Sequence, residues 1–139
     1  MTVPLALPGD MPAARDIRRV VFIEEQSVPE DIERDALDAT ALHLVALADG
    51  QPVGTARVLI AGGTGKIGRV AVLKPHRGTG LGQALIRFAM AEIRQAGGHT
   101  AKLGAQTHAL GFYEALGFTA QGAEYLDAGI PHRDMTCPL

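Results

Sequence analysis

The chain has 139 residues, of which 47% are hydrophobic and 20% charged, with a formal net charge of −2 at pH 7. This composition argues against disorder and fits one compact domain, expected to span residues 1–139, and the small net charge gives no electrostatic case for binding nucleic acid or an anionic membrane. No stretch approaches ~18 uninterrupted apolar residues, no signal-peptide pattern is present, and the only cysteine is Cys137. Together these features predict a cytoplasmic protein without an internal disulfide.

The first forty residues predict an edge strand, a helix and an acidic segment. Thr2 to Leu7 is short, apolar and broken by a proline, which is typical of an edge strand. Asp10 can cap a helix, and Pro29 can begin a short second one. The residues of the first helix expected to face inward are Ile17, Val20, Val21 and Phe22.

The segment that spans the end of the first helix and the second is the most acidic part of the chain. Its carboxylates are Glu24, Glu25, Glu30, Asp31, Glu33, Asp35 and Asp38. They form either a solvated helical face or part of a pocket for a cationic or amine substrate. Glu25 is the best single candidate for the second role, because the first helix should end near the cleft.

A meander of three strands is predicted next. The first strand is predicted at Leu42 to Ala48 and the second at Val53 to Ile60, and Asp49-Gly50 between them is a hairpin signal. Ala61 to Gly65 is a second glycine-rich turn, and Lys66 to Leu73 is the third strand. The continuous apolar run at the end of that strand suits a strand covered on both faces.

The third strand leads into a glycine-punctuated turn and an amphipathic helix. The turn reads R-G-T-G-L-G from Arg77 to Gly82, and its alternate glycines let a backbone approach a ligand closely. A helix N-terminus carries roughly +0.5 charge and unpaired N–H groups, so it attracts anions. Arg77 adds a cation, and the stretch therefore predicts a phosphate site.

Two familiar nucleotide loops do not fit this turn. A Walker A loop needs glycine five residues before Gly65 and a hydroxyl residue after Lys66, where the chain has Ile60 and Ile67. A dinucleotide fingerprint needs a third glycine where Gln83 stands. It also needs an acidic residue about 20 positions further on, where the chain has Thr100-Ala101-Lys102.

The last third of the chain predicts one parallel step and a final hairpin. After the helix ends at Gly97-Gly98, Lys102 to Gln106 should be a strand parallel to the third strand, because crossovers of this kind are right-handed and return to the same sheet. His108 to Leu116 reads as a short helix. The final antiparallel pair is predicted at Phe118 to Gln121 and Arg133 to Cys137, with a turn at Gly129-Ile130-Pro131. The fold class is therefore α/β, with a mostly antiparallel central sheet, one parallel βαβ step and flanking helices.

Two motifs in this order resemble a known family. R-G-x-G-x-G after V-A-V and a proline, and F-Y-E-x-L-G-F from Phe112 to Phe118, resemble the two signatures of the GNAT superfamily of N-acetyltransferases. Six further segments resemble its small ElaA-type branch and extend the resemblance over nearly the whole chain. They are V-F-I-E-E-Q-S-V-P, D-A-L-D with His43 beyond it, G-T-A-R, I-G-R-V-A-V, A-Q-T-H-A and G-I-P-H.

The resemblance implies acetyl-CoA as co-substrate, and no Cys/His cluster has metal-ligand spacing, so no metal is expected. In that family the turn binds the diphosphate of coenzyme A and the preceding strand pairs with its pantetheine arm. A tyrosine protonates the departing thiolate, which places that role on Tyr113. The residues implied to bind coenzyme A are Val70, Ala71, Val72, Arg77, Gly78, Thr79, Gly80, Leu81, Gly82 and Gln83.

The acceptor and the base are less determined by the sequence. The expected reaction is direct attack of a small molecule's primary amine on acetyl-CoA in a ternary complex, and Glu25 or a histidine such as His108 could take the amine proton. Gln106 and His132 are candidate substrate contacts near the predicted cleft. A non-catalytic acyl-CoA-binding or regulatory module and a peptide or protein N-acetyltransferase stay open as alternatives, and exposed edge strands would permit a homodimer.

Overall fold

The computed structural model describes residues 5–6 and 11–139, which form one sheet with helices on both faces. The strands are β1 Leu5–Ala6, β2 Leu42–Ala48, β3 Gln51–Ala61, β4 Thr64–Val72, β5 Thr100–Gln106, β6 Thr119–Asp127 and β7 Ile130–Pro138. The α-helices are α1 Met11–Arg18, α2 Glu30–Glu33, α3 Leu81–Gln95 and α4 Leu110–Glu114. A π-helix, Arg19–Glu25, continues α1, and 3₁₀ turns cover Ala36–Ala39, Lys74–His76 and Thr107–Ala109. In this part of the chain no helix is both long and apolar enough to cross a membrane.

The sheet has the order β1-β2-β3-β4-β5-β7-β6, and β4 and β5 are its parallel pair. The other neighbours described are antiparallel. The chain leaves β4, runs through α3 and returns in β5, as the crossover rule requires. This confirms the predicted mixed α/β fold, including its single parallel step. The predicted N-cap, Asp10, lies outside the described residues, as do parts of the first predicted strand.

Alternation along β4 places the helices on opposite faces of the sheet. The side chains of Val70 and Val72 pack against the main core, which contains the buried stripe of α3, whereas Ala71 packs against Ile17 and Val21 of the N-terminal helices. Because successive strand residues point to opposite faces, α3 covers one face and α1 with the π-helix covers the other. The buried residues of α3 are Leu81, Leu85, Ile86, Ala89, Met90 and Ile93.

The parallel pair separates halfway along its length. Pairing of β4 with β5 runs from Thr64↔Thr100 to Ile67↔Leu103 and then stops, although β4 continues to Val72 and β5 to Gln106. At the point of separation Arg69 has φ of 51°, and two β4 residues stand opposite one residue of β3. Such a bulge bends its strand, so a gap opens between β4 and β5.

Two elements differ from the sequence-based predictions. The first helix does not stay α-helical but widens at Arg19 into a π-helix, a form that often occurs near functional sites. The predicted turn at Gly129-Ile130-Pro131 is wrong in its position, because the turn is formed by Ala128 and Gly129, with φ of 52° and 77°. Positive φ angles at both central residues are typical of a tight hairpin turn, so Ala128 and Gly129 connect β6 and β7 directly. Both strands are longer than predicted.

Candidate active site

The gap between β4 and β5 opens into a cleft of about 550 Å³, called here the β4–β5 cleft. Its walls come from the π-helix, β4, the end of β5, α4 and the β6–β7 hairpin. It brings together nine residues that the sequence singled out, which are Glu25, Val70, Ala71, Val72, Arg77, Gln106, His108, Tyr113 and His132.

The residues that follow Arg77 in the glycine turn lie outside the lining of this cleft. Gly78 and Gly80 have φ of 75° and 87°, which are conformations that L side chains rarely adopt. The first N–H groups of a helix have no intrahelical partner, and Gly80, which precedes α3, supplies no side-chain cap for them. Leu81 is buried in the core, and of this residue only the backbone could reach a ligand. The predicted contacts of Gly78, Thr79, Gly80, Leu81, Gly82 and Gln83 with coenzyme A stay predictions.

Arg77 and Glu25 form a two-pronged ion pair at the mouth of the cleft. The two guanidinium nitrogens donate to the two carboxylate oxygens of Glu25 over 2.6 and 2.9 Å, and Arg77 Nε donates to the carbonyl of Val72 over 2.9 Å. The hydrogen bonds from Arg77 lower the pKa of Glu25 below its ordinary value. Arg77, which is predicted to bind the diphosphate, and Glu25, which is one of the predicted bases, are therefore bound to each other.

Tyr113 enters the cleft from α4 with its ring held by aromatic neighbours. The ring meets Phe112 edge-on at 5.0 Å between centroids and Phe118 at 6.1 Å. Burial raises the pKa of Tyr113 to about 12, so the phenol keeps its proton at neutral pH. Within residues 11–139 its hydroxyl has no hydrogen-bond partner, which leaves it free to donate into the cleft.

A chain of three polar side chains crosses the cleft. Gln106 Nε2, at the end of β5, donates to Gln26 Oε1 over 3.1 Å, and Gln106 Oε1 lies 2.6 Å from His108 Nε2. Gln26 follows the π-helix directly and was not predicted as a site residue. It lies within the segment V-F-I-E-E-Q-S-V-P, but nothing in that segment indicates its partner, which lies 80 positions further along the chain.

The β6–β7 hairpin supplies the wall that carries His132. His132 Nδ1 donates to the carbonyl of Ile130 over 2.7 Å, and the imidazole stacks on Tyr125 at 6.0 Å. The Tyr125 hydroxyl donates to Asp134 over 2.7 Å. The same hydroxyl lies against Gly104 of β5, where a Cβ would be 2.5 Å from its oxygen. Tyr125 was not predicted either, although a glycine inside a strand indicates such a close approach.

Three arginines bind three of the seven carboxylates of the acidic segment, whereas Glu24, Glu25, Glu30 and Asp31 are exposed. Arg18, which is 1% exposed, donates to Glu33 Oε2 over 2.8 Å and to Asp38 Oδ1 over 2.9 Å. Arg57 binds Asp38 over 3.1 Å, and Arg69 Nε lies 3.2 Å from Glu33 Oε2.

The two expectations for this segment are therefore corrected at Glu33 and Asp38. Neither carboxylate is solvated, since both are buried, and neither is free for a cationic substrate, since both are paired. Asp35 joins the network through Arg57 and Arg69. The network ties α2 and the following 3₁₀ turn to β3 and β4, and Glu33, Arg57 and Arg69 line the cleft.

Comparison with known proteins identifies the family to which this site belongs. A family model described as the acetyltransferase (GNAT) domain matches residues 13–139. The chain belongs to the GNAT family. The resemblance in its motifs is thereby confirmed, and the protein is an acyltransferase of a family that uses acyl-CoA as co-substrate.

Individual GNAT relatives are similar over almost their whole length. The uncharacterized N-acetyltransferase YjcF of Bacillus subtilis (strain 168) is 38% identical over 120 residues, which is 86% of each chain. The crystal structure of an acyl-CoA N-acyltransferase from Pseudomonas aeruginosa is 34% identical, with a TM-score of 0.81 over 92% of this chain and 90% of that one. Escherichia coli ElaA has a TM-score of 0.81 and 27% identity over 96% and 99% of the two chains.

Proposed function

We propose that the protein is an acetyl-CoA-dependent N-acetyltransferase, formed by one domain over residues 1–139, that acetylates the primary amine of a small molecule. The observation that carries the proposal is Tyr113, whose protonated hydroxyl faces the same cleft as Arg77 and the splayed end of β4. An acid, a cation and a strand with unpaired backbone groups are the parts that transfer from a thioester requires.

The residues present fit coenzyme A. The start of α3 offers unpaired N–H groups behind Gly78 and Gly80, where nothing lies within 4 Å of an added Cβ, so a diphosphate could approach the backbone closely. Arg77 adds a charge-assisted donor. Beyond Ile67, β4 no longer pairs with β5, and its backbone groups are left to bind the extended arm of the co-substrate.

Acetyl-CoA supplies the acetyl group as a thioester. The amine nitrogen forms a bond to the thioester carbonyl carbon, a backbone N–H near Val70 to Val72 stabilises the oxygen as it becomes negative, and the carbon–sulfur bond breaks. Tyr113 gives its proton or a strong hydrogen bond to the leaving sulfur, whose thiol has a pKa near 8.5. A base takes the proton that the amine loses, so the products are the amide and free coenzyme A.

The contacts of the two base candidates differ. Glu25 is held by Arg77, which lowers the pKa of its carboxyl and makes it a weaker base as long as that pair persists. His108 is exposed in the cleft and bonded only to a neutral amide. We therefore favour His108 as the proton acceptor. Glu25 becomes available as a base only when the diphosphate of the co-substrate takes its place as the partner of Arg77.

A thiol-release screen tests this function. Purified protein is incubated with acetyl-CoA and a panel of amines, sugars, polyamines and peptides, and free coenzyme A and acetylated product are both measured. The expected result is release that depends on a small primary amine. Release with peptides alone would favour protein acetylation, and saturable binding of coenzyme A without release across the panel would favour a binding module and contradict the proposal.

A further inference from the structure

We propose that Gln26 and Gln106 are positioning residues that set the tautomer of His108, so that Nδ1 of His108 takes the proton from the acceptor amine. The inference rests on the acetyltransferase function proposed above and names how its base is prepared. It assigns a role to Gln26, which lies on the opposite wall of the cleft from His108.

The direction of the hydrogen-bond chain carries the argument. Gln106 has one oxygen, which only accepts, and one nitrogen, which only donates. Its nitrogen is 3.1 Å from Gln26 Oε1, so its oxygen is the atom that faces His108 Nε2 at 2.6 Å. The hydrogen between them must belong to Nε2 of His108. Because a neutral imidazole carries one hydrogen, Nδ1 keeps its lone pair.

That lone pair is available for a proton. Across residues 11–139 no side chain or backbone group is hydrogen-bonded to His108 Nδ1, and the imidazole is exposed at the cleft. Glu25 already accepts two hydrogen bonds from Arg77. His132 also has a ring nitrogen left, but its imidazole is 9% exposed and stacked on Tyr125. His108 is therefore the most accessible acceptor of a proton.

Each amide has a separate task in this arrangement. Gln106 touches the imidazole and sets which nitrogen is protonated, whereas Gln26 accepts from the Gln106 nitrogen and thereby favours the Gln106 oxygen as the end that faces His108. Without Gln26 the Gln106 amide could turn over and present its nitrogen to His108 Nε2. The imidazole hydrogen would then move to Nδ1, and the base would be lost.

The pH dependence of this base is set among the other charged groups of the cleft. Those lining it with His108 are Glu25 on the π-helix, Glu33 on α2, Arg57 on β3, Lys66 and Arg69 on β4, Arg77 on the turn, Tyr113 on α4, Tyr125 and Asp127 on β6, and His132 on β7. Substitutions at the two glutamines leave all of these in place.

The test combines ¹⁵N NMR of the histidine rings with the pH profile of coenzyme A release. His108 signals are assigned by their loss in His108→Gln. We expect the protein to show only the Nε2–H tautomer at His108 and Gln106→Met to show the mixture of both tautomers that a free imidazole has. In that variant kcat should fall roughly threefold to tenfold, the size of one hydrogen bond, while KM changes little.

Three further variants and one control sharpen the test. Gln26→Glu keeps an oxygen facing Gln106 and should retain the tautomer, whereas Gln26→Met should lose it. In Gln106→Glu the carboxylate favours the charged imidazole, so the rising limb of the pH profile should move to higher pH. Gln95→Met, on the exposed end of α3, should change nothing.

Finding the Nδ1–H tautomer in the unmodified protein would overturn the proposal, and so would an unchanged tautomer and pH profile in Gln106→Met. The NMR readout does not need turnover. If the tautomer responds as expected but no amine is acetylated, the positioning of His108 is supported, and its role as proton acceptor is overturned together with the proposed function.

Discussion

Replacing Arg18 by methionine should destabilise the fold more than any surface substitution. Its guanidinium is fully buried between two buried carboxylates, Glu33 and Asp38. Removing one partner of such a pair typically costs about 3–5 kcal/mol, because the other charge stays buried without compensation. Arg57 and Arg69 still bind the two carboxylates after the change. We therefore expect the lower end of that range, about 3 kcal/mol.

The loss should depend on pH in a direction that the network determines. Burial alone would raise the pKa of Asp38, but hydrogen bonds from Arg18 and Arg57 hold it below its ordinary value. A lowered carboxyl pKa adds stability above the unfolded value, about 3.9 for aspartate, and that stability is lost as the pH falls through the folded value. In Arg18→Met the carboxyl of Asp38 loses the hydrogen bonds from Arg18 that help to hold its pKa down, so it takes up a proton at a higher pH and the penalty is relieved. The difference between the two proteins should thus narrow from pH 7 towards about pH 4.

Urea denaturation at several pH values measures both effects. Arg15→Met is the matched control, since Arg15 is exposed on the same helix, and it should change the unfolding free energy by less than about 0.5 kcal/mol. A loss below about 1 kcal/mol in Arg18→Met, or an equal loss at both ends of the pH range, would refute the account of the network.

Three further predictions concern packing, the co-substrate and the tyrosines. Gly65→Ala would place a Cβ 2.3 Å from Ile93 Cγ1 and should cost roughly 1–3 kcal/mol in urea denaturation, whereas Gly111→Ala, with nothing within 4 Å, should stabilise by roughly 0.5–1 kcal/mol; equal effects would contradict the close packing of α3 on β4. Arg77→Met should weaken coenzyme A binding roughly 10–100-fold in calorimetry, while Glu25→Gln should tighten it roughly twofold to fivefold by releasing Arg77; shifts in the same direction would argue against competition for Arg77. Burial is the main cause that raises the pKa of both Tyr113 and Tyr125 to about 12, and Asp134 adds to the shift at Tyr125. Tyrosinate absorbance should therefore be small at about pH 10, and the free energy of unfolding should fall as the pH rises from about 10 towards 12. A titration midpoint near 10 in the folded protein would contradict this.

Local signals made much of the fold predictable. The apolar spacing of α3, the Asp49-Gly50 turn between β2 and β3 and the parallel return in β5 each follow from a few neighbouring residues, and all three are present. The bulge at Arg69 was not predictable. No sequence motif indicates an arginine with a left-handed backbone conformation. In this protein the guanidinium of Arg69 binds the carbonyls of Ile32 and Glu33, which are more than thirty positions away.

The site shows the same division between local motifs and distant contacts. The positions of Tyr113, Gln106 and His108 follow from one segment that begins with the last residue of β5, and its motif is readable in the sequence. Gln26 and the arginine network were missed because their partners are 15 to 80 positions apart. Charge and amide groups give no periodic signal, so only the folded chain pairs them.

The kinetics of Tyr113→Phe show whether the phenol acts as the general acid. The substitution removes one hydroxyl that has no hydrogen-bond partner in residues 11–139, so the fold and the affinity for coenzyme A should be preserved. With the best amine from the screen, the account predicts that kcat for coenzyme A release falls roughly 10²–10⁴-fold, the usual contribution of a general acid. Release at the unmodified rate, with coenzyme A still bound, would contradict the role of Tyr113 in the reaction.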